Sequence, residues 1–225
     1  SYFQIHPYDR TRDYHKLTFS MMYYYNENFL LPLSHDEVVH GKATILQKMN
    51  GDYDQKFPQA RALYLYMYAH PGKKLTFMGN EFGQFREWDE EKEQDWFMLK
   101  YPLHDSFYRY IRELNTIYLN NSALYERDYS QDGFRWIDCH KENERVYVFE
   151  RISSEQKVLV LLNLSDTKQT YHLANYDATS LTMLISSDNE IYSGSTRYED
   201  GLLESENGTF DIELSPFSGI MFKSE

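Results

Sequence analysis

Apolar residues in the first half of the chain alternate between helical and strand-like spacing. Helical spacing predicts helices over residues 16–25, from near Pro58 to His70, and over 105–118. Short apolar runs predict strands over 29–33 and 74–78, with His70, Pro71 and Gly72 ending the middle helix. This order is typical of an α/β unit with parallel strands. Two parallel strands need cover on both faces, so we expect further strands upstream of this chain.

The second half, from about residue 122, switches to a period of two. Phe210, Ile212 and Leu214 alternate with polar residues, and turn residues separate the strand candidates. The pattern predicts a small antiparallel β-sandwich. Strands are predicted over 134–138, 145–151, 158–164, 169–173, 181–186, 209–214 and 219–223. We therefore divide the chain into residues 1–121 and residues 122–225.

Composition narrows the classes of partner. The net charge of −12 disfavours nucleic acid and anionic membranes, but it does not disfavour a neutral ligand. No run is long and apolar enough to cross a bilayer, and the start has no signal-peptide pattern. The single cysteine, Cys139, fits a reducing compartment, so we expect a cytoplasmic protein. The chain does not begin with Met, and we expect it to start inside a longer protein.

Ionisable side chains cluster where the first predicted strand ends. His35, Asp36 and Glu37 follow the apolar run directly, as functional groups do at the rim of an α/β barrel. A zinc site of the H-E-x-x-H type is excluded, because it needs His where Asp36 stands. A structural alternative stays open, in which Asp36 caps a helix and Glu37 lies in its first turn.

Several separated motifs carry a resemblance. They are Leu-Ser-His-Asp-Glu-Val-Val-His-Gly-Lys at 33–42, Gly-Asp at 51–52, Pro-Gly-Lys-Lys-Leu-Thr-Phe-Met-Gly-Asn-Glu-Phe-Gly-Gln at 71–84, and Arg-Glu-Trp at 86–88. In order and spacing they resemble the bacterial 1,4-α-glucan (glycogen) branching enzymes, which belong to the α-amylase clan of retaining (β/α)8-barrel enzymes. Plain α-amylases usually read Asn-His-Asp where this chain reads Ser-His-Asp. That difference favours the branching subtype over hydrolases.

The resemblance implies a fold and a site. The fold would be α/β plus all-β: the C-terminal portion of a (β/α)8 TIM barrel, with strands seven and eight and their helices, followed by an antiparallel β-sandwich. Asp36 would stabilise the transition state, and His35 would bind the same sugar ring. Further substrate-binding candidates are Glu37, Asn80, Glu81 and Trp88. The resemblance implies an α-glucan substrate and no metal or organic cofactor.

A second motif is misleading. Residues 132–138 imitate the clan's nucleophile motif Asp-Gly-x-Arg-x-Asp, but Ile137 stands where the second Asp belongs. Asp138 comes one residue later and is predicted to face the opposite side of a strand from Arg135. We interpret this stretch as a sandwich strand. The nucleophile and the acid/base are then expected outside this chain, in a missing N-terminal part of the same enzyme.

The resemblance implies a reaction for the whole protein. It would cleave an α-1,4 linkage, hold the chain as a covalent glycosyl-enzyme and transfer it to a 6-hydroxyl, which makes an α-1,6 branch. These 225 residues alone are predicted to be inactive. Two alternatives stay open: a non-catalytic glucan-binding or interaction module that uses the sandwich, and another hydrolase of the α-amylase clan.

Overall fold

A computed structural model of the chain describes residues 2–18, 30–33, 38, 41–198 and 200–225. Its α-helices are α1 (His15–Thr18), α2 (Tyr53–Ala69) and α3 (Pro102–Asn120). Short 3-10 helices cover Tyr2–Gln4, Pro7–Asp13, Asn80–Phe82, Trp96–Lys100, Ser122–Leu124, Gln131–Gly133 and Glu190–Tyr192. Most of the first predicted helix, residues 16–25, lies outside the described residues.

The strands fall into three sheets. Strands β1 (Leu30–Leu33) and β2 (Lys73–Thr76) pair in parallel, with Leu33 opposite Thr76. A six-stranded antiparallel sheet has the order β3-β4-β5-β10-β7-β8, and β6 pairs with β9 in a separate antiparallel sheet. The bounds are β3 Phe134–Lys141, β4 Val146–Ile152, β5 Lys157–Asn163, β6 Gln169–Ala174, β7 Ser180–Ser186, β8 Leu202–Glu204, β9 Thr209–Leu214 and β10 Ser218–Ser224. The predicted antiparallel β-structure of the second half is confirmed.

The six-stranded sheet forms the middle layer of the packing. Along β5, Val158, Val160 and Leu162 belong to the cluster that includes the buried faces of α2 and α3. The alternate residues Leu159 and Leu161 pack with the sheet formed by β6 and β9. Both faces of β5 are therefore buried, which explains its unbroken apolar sequence.

One glycine sets the distance between helix α2 and this sheet. A Cβ at Gly219 of β10 would lie 2.8 Å from Cδ2 of Leu162 and 2.9 Å from Cδ2 of Leu65. Leu65 lies on α2 and is fully buried. The helix thus packs on the strand at a point where there is no room for a side chain.

Helix α2 begins earlier than its apolar spacing predicts. The predicted start near Pro58 is wrong, since the helix starts at Tyr53. The Gln55 side chain accepts a hydrogen bond from the backbone N–H of Asp52 at 3.0 Å, which stabilises the extra turn. The predicted end is confirmed: the helix stops at Ala69, before His70 and Pro71.

Strand β3 contains the misleading motif. The strand pairs with β4 over Phe134–Lys141, as predicted for a sandwich strand. The register shifts between Trp136 and Asp138. Because of this bulge Arg135 pairs with Glu150 and Asp138 with Val148, which lie on one face of β4, so Arg135 and Asp138 face the same side. The Asp138 Oδ2 accepts a hydrogen bond from the Tyr171 hydroxyl of β6 at 3.3 Å. The prediction for the direction of Asp138 was therefore wrong. Within the described residues, no helix combines the length and apolar character needed to cross a membrane.

Candidate functional site

Strands β1 and β2 end at the same edge of their sheet, because they run in parallel. The predicted residues His35, Asp36 and Glu37 come directly after β1 and lie outside the described residues. Asn80, Glu81 and Trp88, which follow β2, are described. The geometry of the site is therefore built from the residues that flank positions 35–37 along the chain and from the loop after β2.

Asn80 joins the ends of the two strands. It opens the 3-10 turn Asn80–Phe82, which follows Gly79 in the left-handed region at φ +91°. Its side-chain Nδ2 donates to the carbonyl oxygen of Leu33, the last residue of β1, at 3.1 Å. Asn80 is only 6% exposed. A buried amide with this partner stabilises the end of β1.

Glu81 closes the same turn. Its Oε2 accepts a hydrogen bond from the backbone N–H of Gly79 at 2.8 Å, and the residue is half-buried. One carboxylate oxygen is thus used within the loop. This contact stabilises the turn that holds Asn80 in place.

Trp88 makes a second connection to the segment after β1. Its backbone N–H donates to the carbonyl oxygen of Val38 at 3.2 Å, and Val38 is buried. The indole ring is half-buried and meets the Phe77 ring edge to face, with the centroids 5.2 Å apart. Trp88 therefore packs on the residue that follows β2 and bonds to the residue that follows position 37.

Glu87 makes the third connection, and the sequence reasoning did not select it. Its Oε2 accepts from the backbone N–H of Gly41 at 3.0 Å, and its Oε1 accepts from that of Ala43 at 2.8 Å. Both residues have positive φ, +76° and +63°. A single carboxylate thus holds two backbone amides in an unusual conformation, which costs energy for alanine. Position 87 lies within the resembling motif at 86–88, but the motif does not reveal this contact.

The loop that carries Glu87 and Trp88 is itself braced. The Gln84 side chain donates to the Arg86 carbonyl at 2.9 Å and accepts from the Asp95 backbone N–H at 2.8 Å. Arg86 and Asp95 form an ion pair at 3.0 Å, in which both side chains are largely buried. Gln84 is 4% exposed. These contacts fix the loop in one conformation.

His104 of α3 fastens the 3-10 turn from the other side. Its Nδ1 lies 2.8 Å from the carbonyl oxygen of Phe82, and its ring packs on Phe57 and Phe85. Burial lowers the pKa of His104, although the contact with the Phe82 carbonyl opposes this shift. We infer a neutral imidazole that donates from Nδ1 at neutral pH. His104 is thus a structural group of the turn.

The described residues around this edge bind backbone groups. Asn80 holds Leu33, Trp88 holds Val38, and Glu87 holds Gly41 and Ala43. These contacts fix the chain on both sides of the positions that carry His35, Asp36 and Glu37. The arrangement suits the task of positioning side chains, because each of the three groups is already used in holding the backbone.

Comparison with known proteins shows which family the chain resembles. Residues 136–225 match the family model described as the alpha amylase C-terminal all-beta domain. The 1,4-alpha-glucan branching enzyme of Aquifex aeolicus is 50% identical over 161 residues, which is 72% of this chain and 26% of the relative. That of Clostridium perfringens is 40% identical over 233 residues, which is 99% of this chain and 35% of the relative. The chain is related to the bacterial 1,4-alpha-glucan branching enzymes. It spans about a quarter to a third of the length of these relatives.

Solved structures agree on the fold. The alpha-amylase of Geobacillus thermoleovorans, complexed with acarbose, superposes with a TM-score of 0.59 at 14% identity, over 94% of this chain and 42% of that one. An Anoxybacillus alpha-amylase superposes with a TM-score of 0.52 at 14% identity, over 87% of this chain and 37% of that one. At this identity the likeness concerns the fold alone.

Proposed function

We propose that the chain is the C-terminal part of a 1,4-α-glucan branching enzyme. The observation that carries the proposal is the 40% identity to a branching enzyme across 99% of this chain. The whole protein would cleave an α-1,4 linkage, keep the donor chain on the enzyme and transfer it to a 6-hydroxyl. The α-glucan is both donor and acceptor, the reaction needs no metal or organic cofactor, and the single Cys139 fits a cytoplasmic enzyme.

The proposal assigns β1 and β2 to strands seven and eight of a (β/α)8 barrel, and residues 1–121 and 122–225 to the barrel part and the C-terminal domain. Parallel pairing supports this assignment. Leu75 and Met78, in and just after β2, are 43% and 50% exposed. Parallel strands are usually covered on both faces, so exposed apolar side chains here favour a missing N-terminal part that covers them.

Asp36 is the proposed transition-state stabiliser, and His35 the proposed ligand of the same sugar ring. In retaining glycoside chemistry a nucleophile and an acid/base make and break the bonds. A further carboxylate contributes when its hydrogen bonds to sugar hydroxyls strengthen in the transition state. The three backbone contacts from Asn80, Glu87 and Trp88 support such a role, because they fix the chain on either side of Asp36. The nucleophile and the acid/base are proposed to come from outside these residues.

Glu37, Asn80, Glu81 and Trp88 remain the other candidates near substrate. For Asn80 and Trp88 the contacts favour an indirect part in sugar binding, since the Asn80 amide is bonded to Leu33 and the Trp88 ring packs on Phe77. Glu81 keeps one oxygen outside the contact with Gly79 and is half-buried. It is the described side chain at this edge that is best able to accept a bond from a sugar hydroxyl.

The described strands of the sandwich, β3–β10, carry no exposed aromatic side chain and so offer no stacking surface for a glucan. Stacking on sugar rings needs exposed aromatic faces. In the described part of the chain, the strongly exposed aromatic residues all precede β3; they are Tyr8, Tyr53, Trp96, Phe97, Tyr101, Tyr125 and Tyr129. Retardation of residues 122–225 in a glycogen affinity gel would support the alternative of a non-catalytic glucan-binding module.

A chimaera tests the proposal. Residues 1–225 replace the matching region of the Clostridium perfringens relative, which aligns with 99% of this chain at 40% identity. We expect the chimaera to lower the iodine absorbance of amylose and to yield short chains after debranching. The same 225 residues alone should leave amylose unchanged. A folded chimaera that only releases reducing ends would instead indicate a hydrolase of the same clan.

A further inference from the structure

A cavity that none of the residues at the strand edge lines lies between the N-terminal segment, α2 and the β-domain. It has a volume of about 550 Å³. Its walls come from the N-terminal segment, the first turns of α2, the loop after β7 and the turn before β10, represented by Pro7, Asp54, Arg61, Asp188 and Phe217. None of the residues discussed above as site candidates lines it.

Arg61 is the unexplained group of this cavity. The residue is 1% exposed, and its Nε donates to the carbonyl oxygen of Ser187 at 2.5 Å. Among the described residues neither Nη group has a hydrogen-bond partner, while the nearby Asp188 carboxylate supplies the opposite charge. Since Nε is engaged with Ser187, the Nη groups are the part of the side chain left for a ligand.

Asp188 supplies fixed acceptors in the same wall. It is 6% exposed, and its carboxylate accepts bonds from the backbone N–H and the hydroxyl of Ser195 and from the hydroxyl of Thr196, at 2.7–3.0 Å. The loop folds tightly around it, because a Cβ at Gly194 would lie 2.0 Å from the Asp188 carbonyl oxygen. The carboxylate is thus held in one orientation and retains acceptor capacity.

Phe217 supplies an aromatic wall. Its backbone has φ +49°, which is uncommon for a bulky residue, and its N–H donates to the Ser165 carbonyl at 3.0 Å. The guanidinium of Arg10 lies 5.4 Å from the ring centroid. Strained backbone of this kind is common where a side chain contacts a ligand.

The charges of the lining decide the class of ligand. Asp54, Asp166 and Asp188 outnumber Arg61, which disfavours an anion. A neutral sugar fits all the groups: its hydroxyls accept from the Nη donors and donate to the carboxylates, while its ring packs on Phe217. The volume suits a small ligand.

We propose that this cavity binds a neutral sugar at the junction of α2 with the β-domain, and specifically a short segment of α-1,4-glucan. The glucan identity rests on the proposed function. The site would hold a chain away from the reacting centre.

The experiment titrates the 225-residue chain with maltotetraose, and separately with inorganic phosphate, and follows backbone amides by NMR. We expect maltotetraose to shift the signals of residues at 188–195 and 216–218 saturably. Phe217→Gly removes the ring and allows the left-handed backbone, so the fold should be retained. It should weaken binding by about three- to tenfold. Tyr129→Ala, which removes an exposed aromatic ring outside the cavity, should leave binding unchanged.

Three results would overturn the inference: no saturable shifts at the cavity, binding of phosphate in place of the sugar, or equal affinity of wild type and Phe217→Gly. The chimaera separates this inference from the proposed function. If the chimaera branches amylose but the cavity shows no binding of maltotetraose, the sugar site is contradicted and the proposed function is not. If the chain binds maltotetraose but the chimaera is inactive, the branching proposal is contradicted and the sugar site is retained.

Discussion

The side-chain amide of Asn80 donates a hydrogen bond to the carbonyl oxygen of Leu33 at 3.1 Å. This contact joins the ends of two parallel strands through two residues that lie 47 positions apart in the chain. Leu33 immediately precedes the stretch with His35 and Asp36, and Val38 and Gly41 after it are held by Trp88 and Glu87. The loop after β2 therefore holds the last residue of β1 and the residues that follow position 37.

Asn80→Asp should destabilise the chain, because a carboxylate cannot donate to the Leu33 carbonyl and would face it with like charge. We expect a loss of about 1–3 kcal/mol in the free energy of unfolding, measured by urea titration. Asn143→Asp, at an exposed position, is the matched control. Equal stability of the two variants would show that the Asn80 contact contributes nothing.

Glu87→Gln should loosen the backbone at Gly41 and Ala43. A glutamine side chain offers one acceptor oxygen where the carboxylate offers two, so one of the two bonds at 3.0 and 2.8 Å is lost. We expect faster hydrogen exchange at one or both amides and a destabilisation of roughly 1–2 kcal/mol. The exposed Glu91→Gln serves as control. Unchanged exchange at both amides in Glu87→Gln contradicts the assignment of Glu87 as their holder.

His70 should make stability depend on pH. Burial lowers its pKa from 6.5 to about 3, against the opposing effect of its contact with the Pro71 carbonyl. Between these two values the unfolded chain binds a proton that the folded chain does not, so stability is lost as pH falls from about 6.5 towards 3. The contribution is roughly 1.4 kcal/mol per pH unit. Urea unfolding of His70→Gln should show a shallower pH slope than wild type, whereas the exposed His140→Gln should keep the wild-type slope.

Gly219→Ala should destabilise the junction between α2 and the sheet. The added methyl group would lie 2.8–2.9 Å from the methyl groups of Leu162 and Leu65. We expect a loss of about 1–3 kcal/mol by overpacking, measured by thermal or urea unfolding. Adding Leu65→Val should recover part of the loss in Gly219→Ala, and an additive double variant would contradict the proposed clash.

The sequence predicts the elements whose local pattern agrees with their packing. The face of α3 with Phe107, Tyr110, Ile111 and Leu114 is buried as its spacing indicates. Strand β5 is found because an apolar run fits a strand buried on both faces. Strand β8 is missed, since three residues, Leu202–Glu204, are too few to show a period.

Other features depend on three-dimensional contacts that no local pattern contains. The early start of α2 depends on the contact between Gln55 and Asp52, which outweighs the signal from Pro58. The direction of Asp138 depends on a bulge. At the candidate site, the motif identifies Asp36, but Glu87 acquires its role only because the fold brings Gly41 and Ala43 to its two oxygens.

The most direct test of the central claim is the turnover of the chimaera with Asp36→Asn, beside Asp138→Asn as the matched control. Asp138 belongs to the imitation of the nucleophile motif and lies in the β-domain. We predict that Asp36→Asn lowers kcat for α-1,6 branch formation by at least about a hundredfold without loss of folding, while Asp138→Asn stays close to wild type. Equal turnover of the Asp36→Asn variant and the unmodified chimaera would contradict the account.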